Sequence, residues 1–218
     1  FISGNAQSLK RFWKDISGWL EQLSLDPSEQ SKLDFVVAEV PQALDGILNG
    51  VGRISSIVKG LKSYARREHS AVYACSINRC VTTALGLCKH QLRNTSVEIE
   101  TVLAEDLSPI LADSQQIEQI IVNLVVNATH ALEGTQDGRI VITTSAVGSD
   151  VAVTVQDNGS GIPDDLVEKI WDPFFTTKTS EKGTGLGLAI CRDIARDHEG
   201  TLTVSNVSGG GARFELKI

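Results

Sequence analysis

The stretch of residues 157–190 constrains this chain of 218 residues most strongly. It begins with Asp157 after an apolar run and ends in the glycine-rich segment 183–187 (GTGLG) ahead of an apolar helix. Glycine lets a backbone approach a ligand closely, and a helix N-terminus offers N–H donors and partial positive charge that suit phosphate. A buried acid can accept a hydrogen bond from an amino group such as that of adenine. With Lys178 and neighbouring hydroxyls in between, the stretch predicts a purine nucleotide site under a flexible cover.

The overall composition argues against two classes of function. A net charge of −7 argues against a nucleic-acid surface, and no apolar run approaches the roughly 18–20 residues of a membrane helix. The four cysteines form no C-x-x-C pair and no metal cluster, which predicts buried free thiols and a reducing, cytoplasmic location. No signal-peptide pattern opens the chain. Because the sequence begins within an apparent element and without Met, we expect it to be a fragment.

Residues 1–70 predict an antiparallel helical hairpin. Apolar residues recur at helical spacing over residues 1–24, and over residues 33–65 they alternate in steps of four and three, the heptad seam of a coiled coil or bundle. Between them, the segment 24–28 offers a serine to cap and a proline to stop the first helix. Such a hairpin buries its stripes by pairing with a second one into a four-helix bundle. Pro41 predicts a kink in the second helix, and the hairpin's role stays open between scaffold and moving lever.

A polar linker at residues 66–70 predicts the boundary between two domains, 1–70 and 71–218. Beyond it, the pattern predicts helices and strands in mixed order. The helices fall at about 76–92, 113–134 and 186–197, and the strands at about 97–103, 139–147, 151–156, 201–207 and 213–218, with a short apolar run at 110–111. Hairpin-linked strands without a regular βαβ repeat predict a mixed sheet with helices on one face, so the chain is an α+β protein containing an α/β sandwich.

Asn123 and Asn127 lie four residues apart, on one face of a predicted helix that is otherwise strongly apolar. A buried amide without partners is costly. Two interpretations therefore stay open: the amides bond to neighbouring backbone, or they share a polar ligand. In the second, their oxygens meet Mg²⁺, an ion that prefers oxygen and commonly arrives with nucleotide phosphates.

Four motifs, taken in order, resemble the N, G1, F and G2 boxes of the sensor histidine kinases. They are Asn123 to Asn127, Asp157-Asn158-Gly159-Ser160-Gly161, Asp172-Pro173-Phe174-Phe175 and Gly183-Thr184-Gly185-Leu186-Gly187. A lone G-x-G-x-G is weak, but the ordered set at this spacing is specific. The resemblance covers about residues 72–218, implying an ATP-binding domain with the Bergerat fold. It extends to residues 1–70, which look like the dimerisation and histidine-phosphotransfer hairpin. The compact lid at 176–182 resembles that of nitrogen-regulation kinases.

The resemblance implies roles for individual residues. Asp157 would accept from the adenine amino group, and Gly159 and Gly161 would let the base enter. Asn127 would coordinate Mg²⁺ while Asn123 assists at the phosphates. Related ATPases place a glutamate where Asn123 stands, and an amide cannot serve as that base. This predicts poor hydrolysis and phosphoryl transfer to another acceptor.

The phosphate tail would be held by Lys178, implied to be catalytic with Asn123, and by the G2 box. The G2-box residues are Gly183, Thr184, Gly185, Leu186 and Gly187. His130, three residues after Asn127, is either a phosphate contact or part of a polar helix face. His69 and His90 are interpreted as solvated, and His198 as structural.

The implied function is that of the ATP-binding kinase core of a sensor histidine kinase, with ATP and Mg²⁺ as cofactors. In the intact protein the γ-phosphoryl group would pass to a histidine and then to an aspartate of a response-regulator receiver domain. The hairpin would form a homodimer. None of the four histidines stands in the family's His-Glu-x-x-Asn-Pro-Leu type of acceptor motif. Two alternatives stay open: a Bergerat-fold ATPase, and a non-catalytic nucleotide-binding or dimerisation module.

Overall fold

The computed structural model describes most of the chain, namely residues 2–20, 25–65, 72–92, 95–178 and 183–218. The chain divides into two compact units. The first comprises Phe1–Leu61 and Thr177–Thr184, and the second comprises Lys62–Thr176 and Gly185–Ile218. The linker at 66–70, on which the predicted domain boundary rests, lies outside the described residues, so that boundary stays a prediction.

The first unit contains two long helices, α1 (Ile2–Leu20) and α2 (Pro27–Ala65). Asp26 caps α2, because its Oδ1 accepts hydrogen bonds from the backbone N–H groups of Ser28 (2.8 Å) and Glu29 (3.0 Å). The expectation of a serine cap and of a proline that stops the first helix was wrong. The proline instead opens the second helix, at the position where its missing N–H costs nothing.

The first part of the heptad seam of α2 lies on the less exposed side of the helix, whereas the later seam residues Ile47 and Ile54 are exposed. Leu44 is buried, and Val37 and Val40 are half-buried, whereas Phe35 next to them is exposed. The helix continues without interruption through Pro41, and the predicted kink there stays a prediction.

The apolar stripe of α1 has a different environment. Ala6 is buried, but most of the predicted stripe is exposed in the single chain: Ile2, Leu9, Phe12, Ile16 and Trp19. An ion pair between Lys10 and Asp45 (2.5 Å) joins the two helices, and its half-exposed position means that it adds little to stability. Most of the apolar stripe of α1 is therefore left for another surface to cover.

The second unit contains a mixed sheet, as predicted. Its five strands lie in the order β2-β4-β5-β7-β6, with β2 parallel to β4 and the other pairs antiparallel. These strands are β2 (Glu98–Leu103), β4 (Arg139–Val147), β5 (Asp150–Asp157), β6 (Thr201–Asn206) and β7 (Ala212–Lys217). A separate ladder pairs β1 (Tyr73–Cys75) with β3 (Ile110–Ala112). Strand β1 was not predicted, because three residues are too few to show alternation.

Three helices accompany the sheet: α3 (Ile77–Leu92), α4 (Ser114–Ala131) and α5 (Gly187–Asp197). Helix α4 contacts both of the others as well as β4 and β5. Asp113 begins it by accepting from the N–H of Gln115 (2.9 Å). Its apolar side is fully buried at helical spacing, with Ile117, Ile121 and Leu124 at 1% exposure or less.

A closed ring of hydrogen bonds fastens α3 to the sheet. The side-chain amide of Asn78 donates to the carbonyl of Ala104 (2.7 Å), and the Thr144 hydroxyl donates to the amide oxygen of Asn78 (2.8 Å). The same hydroxyl accepts from the N–H of Ala104 (3.0 Å). Every member of the ring is thus satisfied, which is what a polar group in a buried position requires.

His198 has the structural role that the sequence predicted. Its Nε2 accepts from the N–H of Asp113 (3.0 Å), and its Nδ1 lies 2.9 Å from the carbonyl oxygen of Ile194. A carbonyl only accepts and an N–H only donates, so these partners match a ring that donates through Nδ1 and accepts through Nε2. The residue joins the end of α5 to the start of α4.

Candidate nucleotide-binding site

Asp157, the last residue of β5, is buried, with 4% of its surface exposed. Its Oδ1 accepts from the backbone N–H groups of Gly159 (2.9 Å) and Ala212 (3.3 Å). Burial raises the pKa of the Asp157 carboxyl, and these two amide hydrogen bonds partly offset the rise. Both bonds go to Oδ1, so Oδ2 is the oxygen with acceptor capacity to spare.

Two glycines bring the backbone close to this carboxylate. A Cβ atom on Gly159 would lie 2.8 Å from the carbonyl oxygen of Ala131 and 2.9 Å from Oδ1 of Asp157. Gly211 has φ +98°, and a Cβ atom there would collide with the carbonyl of Asp157. Both positions therefore require glycine.

Two asparagines fix the loop that follows Asp157. The side chain of Asn206 accepts from the N–H of Ile162 (2.8 Å) and donates to its carbonyl (2.7 Å). The side chain of Asn158 accepts from the N–H of Arg139 (2.6 Å) and donates to the carbonyl of Asp137 (3.0 Å). Gly161, with φ +72°, lies beside Asn206, where a Cβ atom would come within 2.9 Å of the amide oxygen. The loop after Asp157 is thereby held to the start of β4 and to the end of β6.

The predicted polar face of α4 is present. Asn123, Asn127 and His130 are all half-buried on this helix. The Asn123 side-chain nitrogen lies 3.5 Å from the carbonyl oxygen of Gly187 and 3.4 Å from the sulfur of Cys191. The first turns of α5 are therefore in direct contact with Asn123.

The start of α5 is tied to the F-box segment. The N–H of Phe174 donates to the carbonyl of Gly185 (2.9 Å), and both residues have positive φ, +70° and +66°. A Cβ atom on Gly185 would collide with the Phe174 backbone, so only glycine fits. Leu186 occupies the N-cap position of α5 and, being apolar, offers no side-chain cap. A helix N-terminus that begins without a side-chain cap is of the kind that binds anions.

The segment before this junction is anchored by aromatic contacts. A 3₁₀ turn, Lys169–Trp171, places the Trp171 ring edge-on to Phe214 of β7, with 6.2 Å between ring centroids. The guanidinium of Arg192 on α5 lies 5.4 Å from the Trp171 ring centroid. Such contacts fix the position and the orientation of the turn relative to β7 and α5.

The predicted site residues fall in both units of the chain. The second unit holds Asn123, Asn127, His130, Asp157, Gly159, Gly161, Gly185, Leu186 and Gly187. Lys178, Gly183 and Thr184 belong to the first unit. Part of the predicted lid, residues 179–182, lies outside the described residues. The roles assigned to all of these residues stay predictions.

Three residues at the site were missed by sequence reasoning. Gly211 was not singled out, although the run of three glycines at 209–211 is a signal for close backbone approach. Asn206 contacts a residue 44 positions away, and Cys191 contacts Asn123 across 68 positions. No local pattern reveals contacts at such separations.

Among the described residues, no group of three or more His, Cys, Asp or Glu side chains lies close enough together to hold a metal ion. Within the same part of the chain, none of the helices combines the length and the apolar character that crossing a membrane requires.

Comparison with known proteins agrees with this geometry. Residues 112–218 match the family of histidine kinase-, DNA gyrase B- and HSP90-like ATPases. The catalytic domain of the histidine kinase ThkA is 33% identical, with a TM-score of 0.60, over 67% of this chain and 96% of that domain. The signal transduction histidine-protein kinase AtoS of Escherichia coli K12 is 35% identical over 99% of this chain and 34% of its own length.

A further solved structure shows ThkA in complex with the response regulator protein TrrA. The similarity to that kinase has a TM-score of 0.66 at 26% identity and covers all of this chain and 60% of that one. The sheet, the buried Asp157 and the glycine-rich start of α5 thus define an ATP-binding domain of the histidine kinase type. The chain belongs to the sensor histidine kinases and contains their ATP-binding kinase core. It spans about a third of the length of curated relatives such as AtoS.

Replacing Asn206 with Ala should loosen the loop after Asp157, because it removes both hydrogen bonds to Ile162. We expect amide hydrogen exchange at Ile162 to become roughly 30-fold faster, as follows from about 1 kcal/mol for each of the two lost bonds. The exposed neighbour Ser205→Ala serves as the control and should leave that rate unchanged. Equal protection of Ile162 in both variants would show that Asn206 does not hold the loop.

Proposed function

We propose that the whole protein transfers the γ-phosphoryl group of ATP to a histidine and then to an aspartate of a response regulator. This chain would supply the kinase core for the first step. The solved complex of ThkA with TrrA supports a receiver domain as the second partner. A cytoplasmic location is part of the proposal, supported by four free cysteines, since thiols persist in reducing compartments.

The observation that carries the proposal is the buried carboxylate of Asp157. With Oδ1 occupied by two backbone amides, Oδ2 would accept from the amino group of adenine. The raised pKa reflects a charge with little water around it, and a hydrogen bond to such a charge is stronger than one at the surface. Gly159 and Gly161 keep the loop after Asp157 close to Ala131 and Asn206, and we propose that the base enters past this loop.

The start of α5 would bind the phosphate tail. The backbone N–H groups of Gly185, Leu186 and Gly187 are suited to this role, because α5 begins there with no side-chain cap. Lys178 belongs to the other unit of the chain, and its role stays a prediction from the resemblance. Asn123 carries an amide and therefore cannot deprotonate water, so we expect slow hydrolysis and phosphoryl transfer that depends on positioning and charge.

Magnesium fits the donor set of α4. Asn127 follows Asn123 by one helical turn, and amide oxygens are ligands that this ion accepts. Mg²⁺ is usually held by one or two protein oxygens together with the nucleotide phosphates, so one asparagine suffices on the protein side. When bound, the ion would neutralise phosphate charge, while Asn127 holds it and Asn123 assists at the phosphates.

The hairpin would form a homodimer. In the single chain, Phe12 is 60% exposed, and Ile2, Leu9, Ile16 and Trp19 lie on the same face of α1. A continuous apolar stripe of this kind favours burial against another helix. A second copy of the hairpin would cover it in a four-helix bundle.

Asp157→Asn tests the adenine contact. The variant presents an N–H₂ group to the adenine amino group, so we expect ATP affinity at pH 7 to fall about 30-fold or more, as two opposed buried donors cost roughly 2–3 kcal/mol. Calorimetric titration measures this, with the exposed Asp164→Asn as the control. Burial raises the pKa of Asp157, so the ionised carboxylate lowers the stability of the wild-type fold at a pH above that pKa. Asparagine carries no such charge. We therefore expect the free energy of unfolding of Asp157→Asn at pH 7 to be no lower than that of the wild type. Full ATP affinity in the variant would refute the contact.

Asn127→Ala tests the magnesium site. Without the amide oxygen, the gain in ATP affinity on adding Mg²⁺ should fall roughly tenfold, whereas affinity in EDTA should stay within about twofold of the wild type. Titrations with and without the ion give the ratio. Thr82→Ala, an exposed site on α3, is the control. An unchanged magnesium effect in Asn127→Ala would assign the ion to other ligands.

Phe12→Glu tests the dimer. A charge in the centre of the apolar stripe should weaken dimerisation roughly tenfold or more, which sedimentation or light scattering at micromolar concentration detects. Gln7→Glu adds the same charge on the opposite face of α1 and should leave the dimer intact. If both variants dimerise like the wild type, the stripe of α1 is not the dimer interface.

A further inference from the structure

Cys191 lies in the interface between α4 and α5 and is completely buried. Its sulfur is 3.4 Å from the side-chain nitrogen of Asn123 and 4.0 Å from the carbonyl oxygen of Ile120. Both of these partners belong to α4. A cysteine in such a position is by default a small apolar residue that fills space, but here its sulfur touches a polar group of the candidate site.

The orientation of the Asn123 side-chain amide follows from its neighbours. The carbonyl of Gly187 can only accept, so the amide must turn its N–H₂ end toward α5. The distance to that carbonyl oxygen is 3.5 Å, which is at the outer limit for a hydrogen bond to oxygen. The distance from the same nitrogen to the sulfur of Cys191 is 3.4 Å. Because sulfur is larger than oxygen, this is the closer contact relative to the sizes of the two atoms, so the thiol is the better hydrogen-bond partner.

The state of the thiol suits this role. Burial raises the pKa of Cys191 to about 12, so the sulfur keeps its proton at neutral pH. A protonated thiol donates weakly and accepts weakly at the same time. It can therefore accept from Asn123 while directing its own proton toward the carbonyl of Ile120, and no charge is placed in the interface.

We propose that Cys191 is a positioning residue for Asn123: its thiol holds the amide nitrogen against α5 and leaves the amide oxygen as the end offered to the magnesium nucleotide. This inference rests on the proposed function and takes Asn123 to assist there through its amide oxygen as a ligand of the phosphate-bound Mg²⁺, since that oxygen cannot donate to a phosphate. It means that a residue outside the four sequence motifs determines whether the nitrogen or the oxygen of the Asn123 amide faces the nucleotide. Without the thiol, the remaining hydrogen-bond contact of the amide among the described residues is the long one to Gly187.

The test compares Cys191→Val with Cys191→Ser. Valine fills the space but cannot accept a hydrogen bond, whereas serine keeps an acceptor and a donor. In the nucleotide-free chain, the Asn123 side-chain N–H₂ signals, assigned by their loss in Asn123→Ala, should shift and exchange faster in the valine variant. The serine variant should keep most of their protection. The matched control is Cys88→Val, a buried cysteine of α3.

The second measurement is the ratio of ATP affinity with Mg²⁺ to that in EDTA. We expect this ratio to fall roughly fivefold in Cys191→Val, the effect of one modest hydrogen bond. It should be largely retained in Cys191→Ser and unchanged in Cys88→Val. In an Asn123→Ala background, Cys191→Val should cause no further loss, because the residue acts through the amide.

Two results would overturn the inference. One is a valine variant whose Asn123 signals and magnesium ratio match the wild type. The other is a further loss in the Asn123→Ala background, which would mean that Cys191 acts through packing. If the wild-type chain itself binds no ATP, the proposed function fails with it. A wild type that binds with a magnesium effect, beside an unaffected valine variant, removes the role of Cys191 alone.

Discussion

The buried carboxylate of Asp157 is the constraint around which the second unit is arranged. It ends β5, and its Oδ1 takes the N–H groups of Gly159 and Ala212, one from the following loop and one from the start of β7. A charge in this position is costly unless it is hydrogen-bonded, so the loop and the strand must both come close. That requirement explains why Gly159 and Gly211, where a side chain would collide, surround it.

The second organising contact is a polar contact between α4 and α5. Asn123 on α4 meets the first turns of α5 through Gly187 and Cys191. The start of α5 is in turn bound to Phe174, which adopts a positive φ that costs a non-glycine residue energy. The packing of α5 on α4 stabilises this strained junction, and so the geometry of the candidate phosphate site depends on the core beneath it.

The sequence predicted most of the fold because its signals were local. The apolar spacing of α4 and the apolar run of β5 identified these elements, and the mixed sheet with its helices is confirmed. Errors came where the signal was too short or ambiguous, as with β1 and with Pro27, which opens a helix instead of ending one. The asparagine and cysteine that support the site were missed, since their partners are distant in sequence.

The most direct test of the account is a comparison of two nucleotides on the unaltered chain. Calorimetry should show that, with Mg²⁺ present, ATP binds roughly tenfold or more tightly than purine riboside triphosphate, which lacks only the 6-amino group. A buried acceptor left without its donor costs about 1–3 kcal/mol, and Asp157 would be that acceptor. Equal affinities for the two nucleotides would contradict the claim that this carboxylate recognises adenine.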